Sequence, residues 1–219
     1  MAENTVEMSQ GAGPKKGSLI KDAFALFVIT LIAAIALGFV YEITKDIIAE
    51  REREEKEAAY RSVFPQAARL EEDEALTTAI AEADALLAEA GFSGCAVNEG
   101  MAAKDEAGNT IGYVVNVSSM NGYGGEIALS MGYTNDGILL GIQFTTLDET
   151  AGLGARAAEE GEGSFKEQFR EKQVDSFTVK KGDASSENEI NAISAATVTS
   201  TAVTEAVNAG IYFVKQMME

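Results

Sequence analysis

Residues 23–41 read AFALFVITLIAAIALGFVY without one charge. At helical rise the run is about 28 Å long, close to the hydrocarbon thickness of a bilayer. This predicts a membrane-spanning helix, bounded by Lys21 and Asp22 on one side and by Glu42, Lys45 and Asp46 on the other. Tyr41 sits where an amphipathic ring meets the interface. A cleaved signal peptide is the competing reading, because Ala34-Ile35-Ala36 resembles a cleavage site. That site, however, lies inside the apolar run, and the run is longer than a usual signal core. From Glu42 the pattern turns to closely spaced Glu, Arg and Lys with no glycine before Pro65. Such spacing supports solvated i,i+4 pairs, so residues 42–65 read as a charged stalk helix that Pro65 ends.

Beyond the stalk, residues 72–90 carry Leu76, Ile80, Ala83 and Leu87 at helical spacing, with Gly91 placed to stop the helix. Strand patterns follow at 110–119, 126–134 and 138–146, the last two joined by Asn135-Asp136-Gly137, a hairpin signal. A short helix over Phe165–Lys172 and a strand over 176–181 come next, then a polar loop over 182–191. The final helix begins near Ser194, with an apolar stripe of Ala202, Val203, Ala206, Val207, Gly210, Ile211 and Val214. The sum is an α+β domain over 66–219, a mixed sheet with flanking helices, preceded by a tail over 1–22.

Composition narrows the chemistry. The 219-residue chain has a net charge of −18, and the acidic excess lies beyond residue 41. An acidic surface repels nucleic acid, so none is expected as a partner. There is no His and a single cysteine, Cys95. The usual zinc and haem ligands and nucleophile–base pairs are therefore missing, and one thiol alone holds no iron–sulfur cluster. Cys95 reads as a small core residue. No metal and no catalytic acid or base is expected, so redox chemistry would need an organic cofactor.

One stretch concentrates hydroxyls where a helix should start: Ser194, Thr197, Thr199, Ser200 and Thr201. Ser194 is placed to cap the helix and Thr197 falls in or near its first turn, so simple capping is one reading. A helix amino terminus is also a seat for a phosphate, and a threonine there can carry a phosphate ester. Two glycine-rich stretches, NGYGGE (121–126) and DETAGLGA (148–155), are either turns or backbone that lies close against a planar ligand.

Together these motifs resemble the FMN-binding domain shared by the G subunit of the Rnf complex and the C subunit of the sodium-pumping NADH:quinone oxidoreductase. The resemblance covers nearly the whole chain: the early membrane helix, YRSVFP (60–65), GYGGEI beginning at Gly122, ETAGLG (149–154) and SAATVTS (194–200). It implies that the Thr197 hydroxyl is esterified to the phosphate of one FMN by a flavin transferase that uses FAD. Ser194, Ala196 and Thr199 would then lie at the phosphate. Backbone from Gly122 through Tyr123 and Gly124 to Gly125 would border the ligand, and Glu149, Thr150, Leu153 and Gly154 would lie near the ring system. The departures from the family pattern are Asn191 for an acidic residue, Ala195 for glycine, Ala151 for proline and Leu147 for histidine. The compact length favours Rnf, a membrane complex coupling electron transfer between ferredoxin and NAD to ion movement. There the chain would be a non-autonomous, electron-carrying subunit, with its amino terminus cytoplasmic and its FMN domain outside. The alternatives are the quinone-reductase C subunit, a flavinylated domain serving an extracellular reductase, and a membrane-anchored sensor or scaffold without flavin, in which Thr197 merely caps a helix.

Overall fold

A computed structural model describes residues 16–219; of the expected amino-terminal tail, residues 1–15 lie outside the described residues. The chain divides into two compact units, up to Glu52 and from Arg53 onward. In the first, helix α1 (Lys16–Val63) begins and runs through the apolar segment without a break. Its apolar side chains are bare, Leu37 for instance being 70% exposed. This is the one helix among the described residues long and apolar enough to cross a membrane. A helix that is apolar all round yet covered by no protein is matched to lipid rather than to a core. Within it the hydroxyls of Thr30 and Thr44 donate back to the carbonyls of Leu26 and Val40, which removes their polar cost.

The second unit opens with the last turns of α1, and these are not a solvated stalk. Tyr60, Val63 and Phe64 are buried with Ala103 and Val114 in a small cluster of their own. Lys56 pairs with Glu99 at 2.7 Å. Burial first, and then the Glu99 carboxylate, hold the Tyr60 phenol protonated.

Five strands form one antiparallel sheet in chain order: β1 (Arg69–Glu71), β2 (Cys95–Lys104), β3 (Thr110–Ser119), β4 (Ile127–Thr134) and β5 (Leu139–Leu147). A separate parallel pair joins β6 (Thr178–Lys180) to β7 (Glu189–Asn191). The mixed character is thus divided between two sheets. Helix α2 (Glu74–Glu89) starts where the Asp73 carboxylate accepts from the Leu76 N–H at 2.9 Å, and it stops before Gly91. Its Leu76, Ala83 and Leu87 are buried as the spacing requires. Helix α3 (Thr197–Met218) buries the whole expected stripe from Ala202 to Val214. It comes close to the sheet at Gly210, where a Cβ would stand 2.4 Å from Met131 Sδ. Cys95 is a buried part of this core, and burial pushes its thiol up.

Several elements differ from the sequence reading, the short strand β1 and a 3-10 turn at Gly154–Ala158 among them. Strand β2 was not anticipated, because CAVNEGMAAK lacks alternation. A bulge at Asn98 breaks the register between Val97 and Glu99 and turns the Asn98 amide toward Asn116 Oδ1 at 2.9 Å. Pairing on both edges overrides the weak strand propensity of its residues. Within the expected polar loop, the run Glu189–Asn191 forms β7, because Ile190 is fully buried beside β6. The expected helix at 165–172 contracts to a single 3-10 turn, Lys166–Phe169, where Phe165, Phe169 and Phe177 pack edge to face.

Two expectations follow from this packing. Gly132 faces the end of α1 so closely that a Cβ would lie 2.2 Å from the Val63 carbonyl oxygen. Gly132→Ala should cost about 2–3 kcal/mol by overpacking, read as a lowered unfolding temperature of the detergent-solubilised full chain. The Glu189 carboxylate accepts from the Ser185 N–H at 2.7 Å and from Lys180 at 2.9 Å, which holds it at about 2 against an ordinary 4.5. A depressed carboxylate contributes above its unfolded value and loses that contribution as pH falls. Amide protection in residues 182–188, taken relative to the intrinsic exchange rate at each pH, should therefore fall as pH falls from 4.5 toward 2, and it should do so less in Glu189→Gln.

Candidate functional site

Antiparallel order puts the β3–β4 loop and the segment after β5 at the same end of the sheet, since Ser119 pairs with Ile127 and Ile127 with Leu147. The amino terminus of α3 opens onto this end. Thr197 is its first residue and Ala196 occupies the cap position, where no side chain satisfies the free N–H groups. The expectation that Ser194 caps the helix is therefore corrected: Ser194 lies outside the helix and is exposed. Its place is taken by a tight turn, closed by the Ala196 N–H donating to the Ile193 carbonyl at 3.0 Å. The turn's third residue, Ala195, holds φ +62. That left-handed conformation is one glycine adopts freely and alanine adopts at a cost of roughly 1 kcal/mol.

The hydroxyls of this segment divide their work. Ser200 is fully buried; its Oγ accepts from the Ile193 N–H and donates to the Ala196 carbonyl, each at 2.9 Å. The Thr204 hydroxyl donates to the Ser200 carbonyl at 2.8 Å. Thr197 and Thr199 instead line an open groove of about 470 Å³.

The same groove is lined by Tyr123, Glu149, Thr150, Leu153, Gly154 and Ala196, all expected from the sequence. It is also lined by Ala195 and Val198, which were not expected. Ser194, Gly124 and Gly125 are absent from the lining, and Ser194 borders a different depression with Arg156 and Gln168. Val198 was overlooked because a valine one step past a threonine looks like helix filler. Its 52% exposure at the helix start marks it out.

Glu149 ties the two glycine-rich stretches together. Its Oε1 accepts from the N–H groups of Tyr123 at 2.8 Å and Gly124 at 3.2 Å. The loops lie so close that a Cβ on Gly124 would stand 1.9 Å from the Asp148 carbonyl oxygen. At Gly154 a Cβ would lie 2.6 Å from both Glu149 Oε2 and Thr199 Oγ1, so only glycine lets these oxygens converge. Glu149 is the one charged residue of the groove.

The arrangement fits a phosphorylated planar ligand. Uncapped N–H groups and the positive end of the α3 dipole favour an anion beside the Thr197 hydroxyl. Tyr123, Leu153 and Val198, at 75%, 41% and 52% exposure, offer apolar surface that no other part of the domain covers. A side chain at Gly124 would force the two loops apart, and one at Gly154 would displace Glu149 and Thr199.

Comparison with known proteins bears on this geometry. An FMN-binding domain model matches residues 122–212, and a model of the RnfG N-terminal region matches residues 8–63. The chain is 32% identical over 195 residues to the G subunit of the Na(+)-translocating ferredoxin:NAD(+) oxidoreductase complex of Acetobacterium woodii, covering 88% of this chain and 90% of that protein. It is 39% identical over 109 residues to the proton-translocating counterpart of Clostridium ljungdahlii, covering 50% and 56%. With the G subunit of the ion-translocating oxidoreductase complex of Methanosarcina acetivorans it shares 28% over 198 residues, covering 90% and 94%. Among solved structures, Shewanella oneidensis NqrC aligns with a TM-score of 0.43 at 18% identity, over 54% of this chain and 59% of that one.

Removing the Glu149 tie should loosen the groove. Glu149→Ala hands two exposed N–H groups to water and should cost about 1 kcal/mol, whereas Glu149→Gln, which keeps an acceptor oxygen, should cost less. Hydrogen exchange at the Tyr123 and Gly124 amides is the direct readout. Protection unchanged in Glu149→Ala would show that the tie does not hold the loop.

Proposed function

The chain belongs to the G-subunit family of ion-translocating ferredoxin:NAD(+) oxidoreductase complexes, and from that premise we propose that it relays electrons through one FMN esterified to Thr197. The observation that carries the reading is the Thr197 hydroxyl at an uncapped helix start, facing a groove walled by the Glu149-linked loops. When bound, FMN supplies the redox chemistry, for which this chain has no His and one buried cysteine. The chain's own part is to hold and orient. The first N–H groups of α3 face the phosphate, with the hydroxyl of Thr199 beside them. Gly124 and Gly154 keep the walls close, and Tyr123, Leu153, Val198 and Thr150 border the ring system.

In this reading a flavin transferase forms the bond, transferring FMN from FAD to the Thr197 oxygen and releasing AMP. The ester prevents loss of the cofactor from a groove that stays open to solvent. An open groove suits a carrier whose flavin exchanges electrons with neighbouring subunits of the complex. The chain thus acts as a non-autonomous part of a redox-driven translocase. Helix α1 anchors it as a single-pass protein with a cytoplasmic amino terminus and the FMN domain outside. Thr197 is the first residue of α3 and Ala196 its cap, so capping does not account for this threonine.

Full-length protein from cells with an active transferase, run on a denaturing gel, should fluoresce under ultraviolet light. Peptide mapping should place the flavin on the peptide containing Thr197. Thr197→Ala should abolish the fluorescence while changing stability by less than about 1 kcal/mol, because no side chain caps this helix start and so none is lost. A covalent flavin persisting in Thr197→Ala would overturn the assignment.

A further inference from the structure

Five hydroxyls crowd the start of α3, and the structure gives them opposed tasks. A hydroxyl that is to receive a phosphate must be free, yet Ser and Thr near a helix start tend to bind the helix's own N–H groups. The chain avoids this at one point. Were α3 to begin a residue later, Thr197 would become its cap, with its Oγ turned onto the helix N–H groups instead of the groove. The bonds that keep the helix extended to Thr197 all meet in Ser200. Its N–H donates to the Ala196 carbonyl at 3.0 Å, and its hydroxyl donates to the same carbonyl at 2.9 Å. The same hydroxyl accepts from the Ile193 N–H at 2.9 Å. One fully buried oxygen therefore closes the 193–196 turn at both ends and fixes Ala196 as the cap. It also holds Ala195 in the left-handed conformation that alanine resists.

On the far side, Gln168 clasps the Asn191 backbone with both amide atoms. Its Oε1 accepts from the Asn191 N–H at 2.7 Å and its Nε2 donates to the Asn191 carbonyl at 3.2 Å. The segment entering the turn is thereby fixed as firmly as the segment leaving it.

We infer that Ser200 is the positioning residue of the flavin acceptor: it touches no cofactor, but it keeps Thr197 from capping its own helix and so holds its hydroxyl available for esterification. The inference rests on the reading of Thr197 as acceptor. Without the Ser200 hydroxyl, the Ile193 N–H loses its buried acceptor and the strain at Ala195 is no longer opposed. The turn then relaxes and Thr197 takes over the cap.

The test is the flavin-to-protein ratio of folded, full-length variants purified in detergent from cells with an active transferase. Ser200→Ala should carry flavin at a ratio lower by about 5-fold or more. Val203→Ala, which lowers stability from a fully buried core position of the same helix away from the turn, should keep the wild-type ratio. Adding Ala195→Gly to Ser200→Ala should restore at least half of the lost flavin, because glycine removes the strain the hydroxyl opposes. A role in stability alone would move the unfolding temperature, lower Val203→Ala and Ser200→Ala alike, and give no such rescue. Should Ser200→Ala fail to accumulate, Ser200→Cys keeps the side-chain size with weaker hydrogen bonds and is read in its place. A wild-type ratio in the serine variant overturns the inference. Thr197→Ala, run in parallel, separates the two failures. Flavin retained there removes the acceptor reading itself, whereas flavin lost there but retained at position 200 removes only the positioning role.

Discussion

The packing of α3 across the antiparallel sheet is the constraint on which the rest of the domain depends. Gly210 lets the helix lie against Val117 and Met131, and every apolar residue of its stripe is buried. A helix so committed has its amino terminus fixed in space. The sheet, meanwhile, brings the β3–β4 loop and the segment after β5 to the same end. The groove is the place where these consequences meet. Its precision comes from the core beneath it, since neither glycine-rich stretch has regular structure of its own beyond a short 3-10 turn at Gly154–Ala158.

Within the groove, the distribution of polar groups shows which interactions are structural. Glu149 spends one oxygen on two backbone N–H groups and leaves the other toward Gly154. Ser200 and Thr204 spend their hydroxyls on backbone carbonyls and are buried. Thr197 is half-buried and lines the groove, and Thr199 lines it from a buried position, 1% exposed. A stretch that looks redundant in composition is thus partitioned by partner. Ser200 and Thr204 build the turn and the helix, while Thr197 and Thr199 border the groove.

Much of this was legible in the sequence, and the parts that were not have physical reasons. Helices α2 and α3 were readable because their apolar residues keep helical spacing and are buried on that spacing. Strand β2 escaped because the Asn98 bulge destroys its alternation and its neighbours supply the pairing. Strand β7 escaped because Ile190 is its only apolar residue, and burial of one side chain leaves no period to detect. Most of the groove was visible as a set of motifs. The cap at Ala196, the strained Ala195 and the clamp at Ser200 were not, since a hydroxyl's partner depends on backbone geometry that no pattern of residue types specifies.

The order of the elements along the chain adds a consequence for assembly. Residues of the groove come from the β3–β4 loop, the segment after β5 and the start of α3, and α3 follows every strand in the chain. A nascent polypeptide that had completed the whole antiparallel sheet would still present no site. Only the docking of α3 turns the separate loops into one surface, at the same moment as it covers the core. A chain that displays this groove has finished folding, so any maturation step that depends on the groove acts as an inspection of the completed domain.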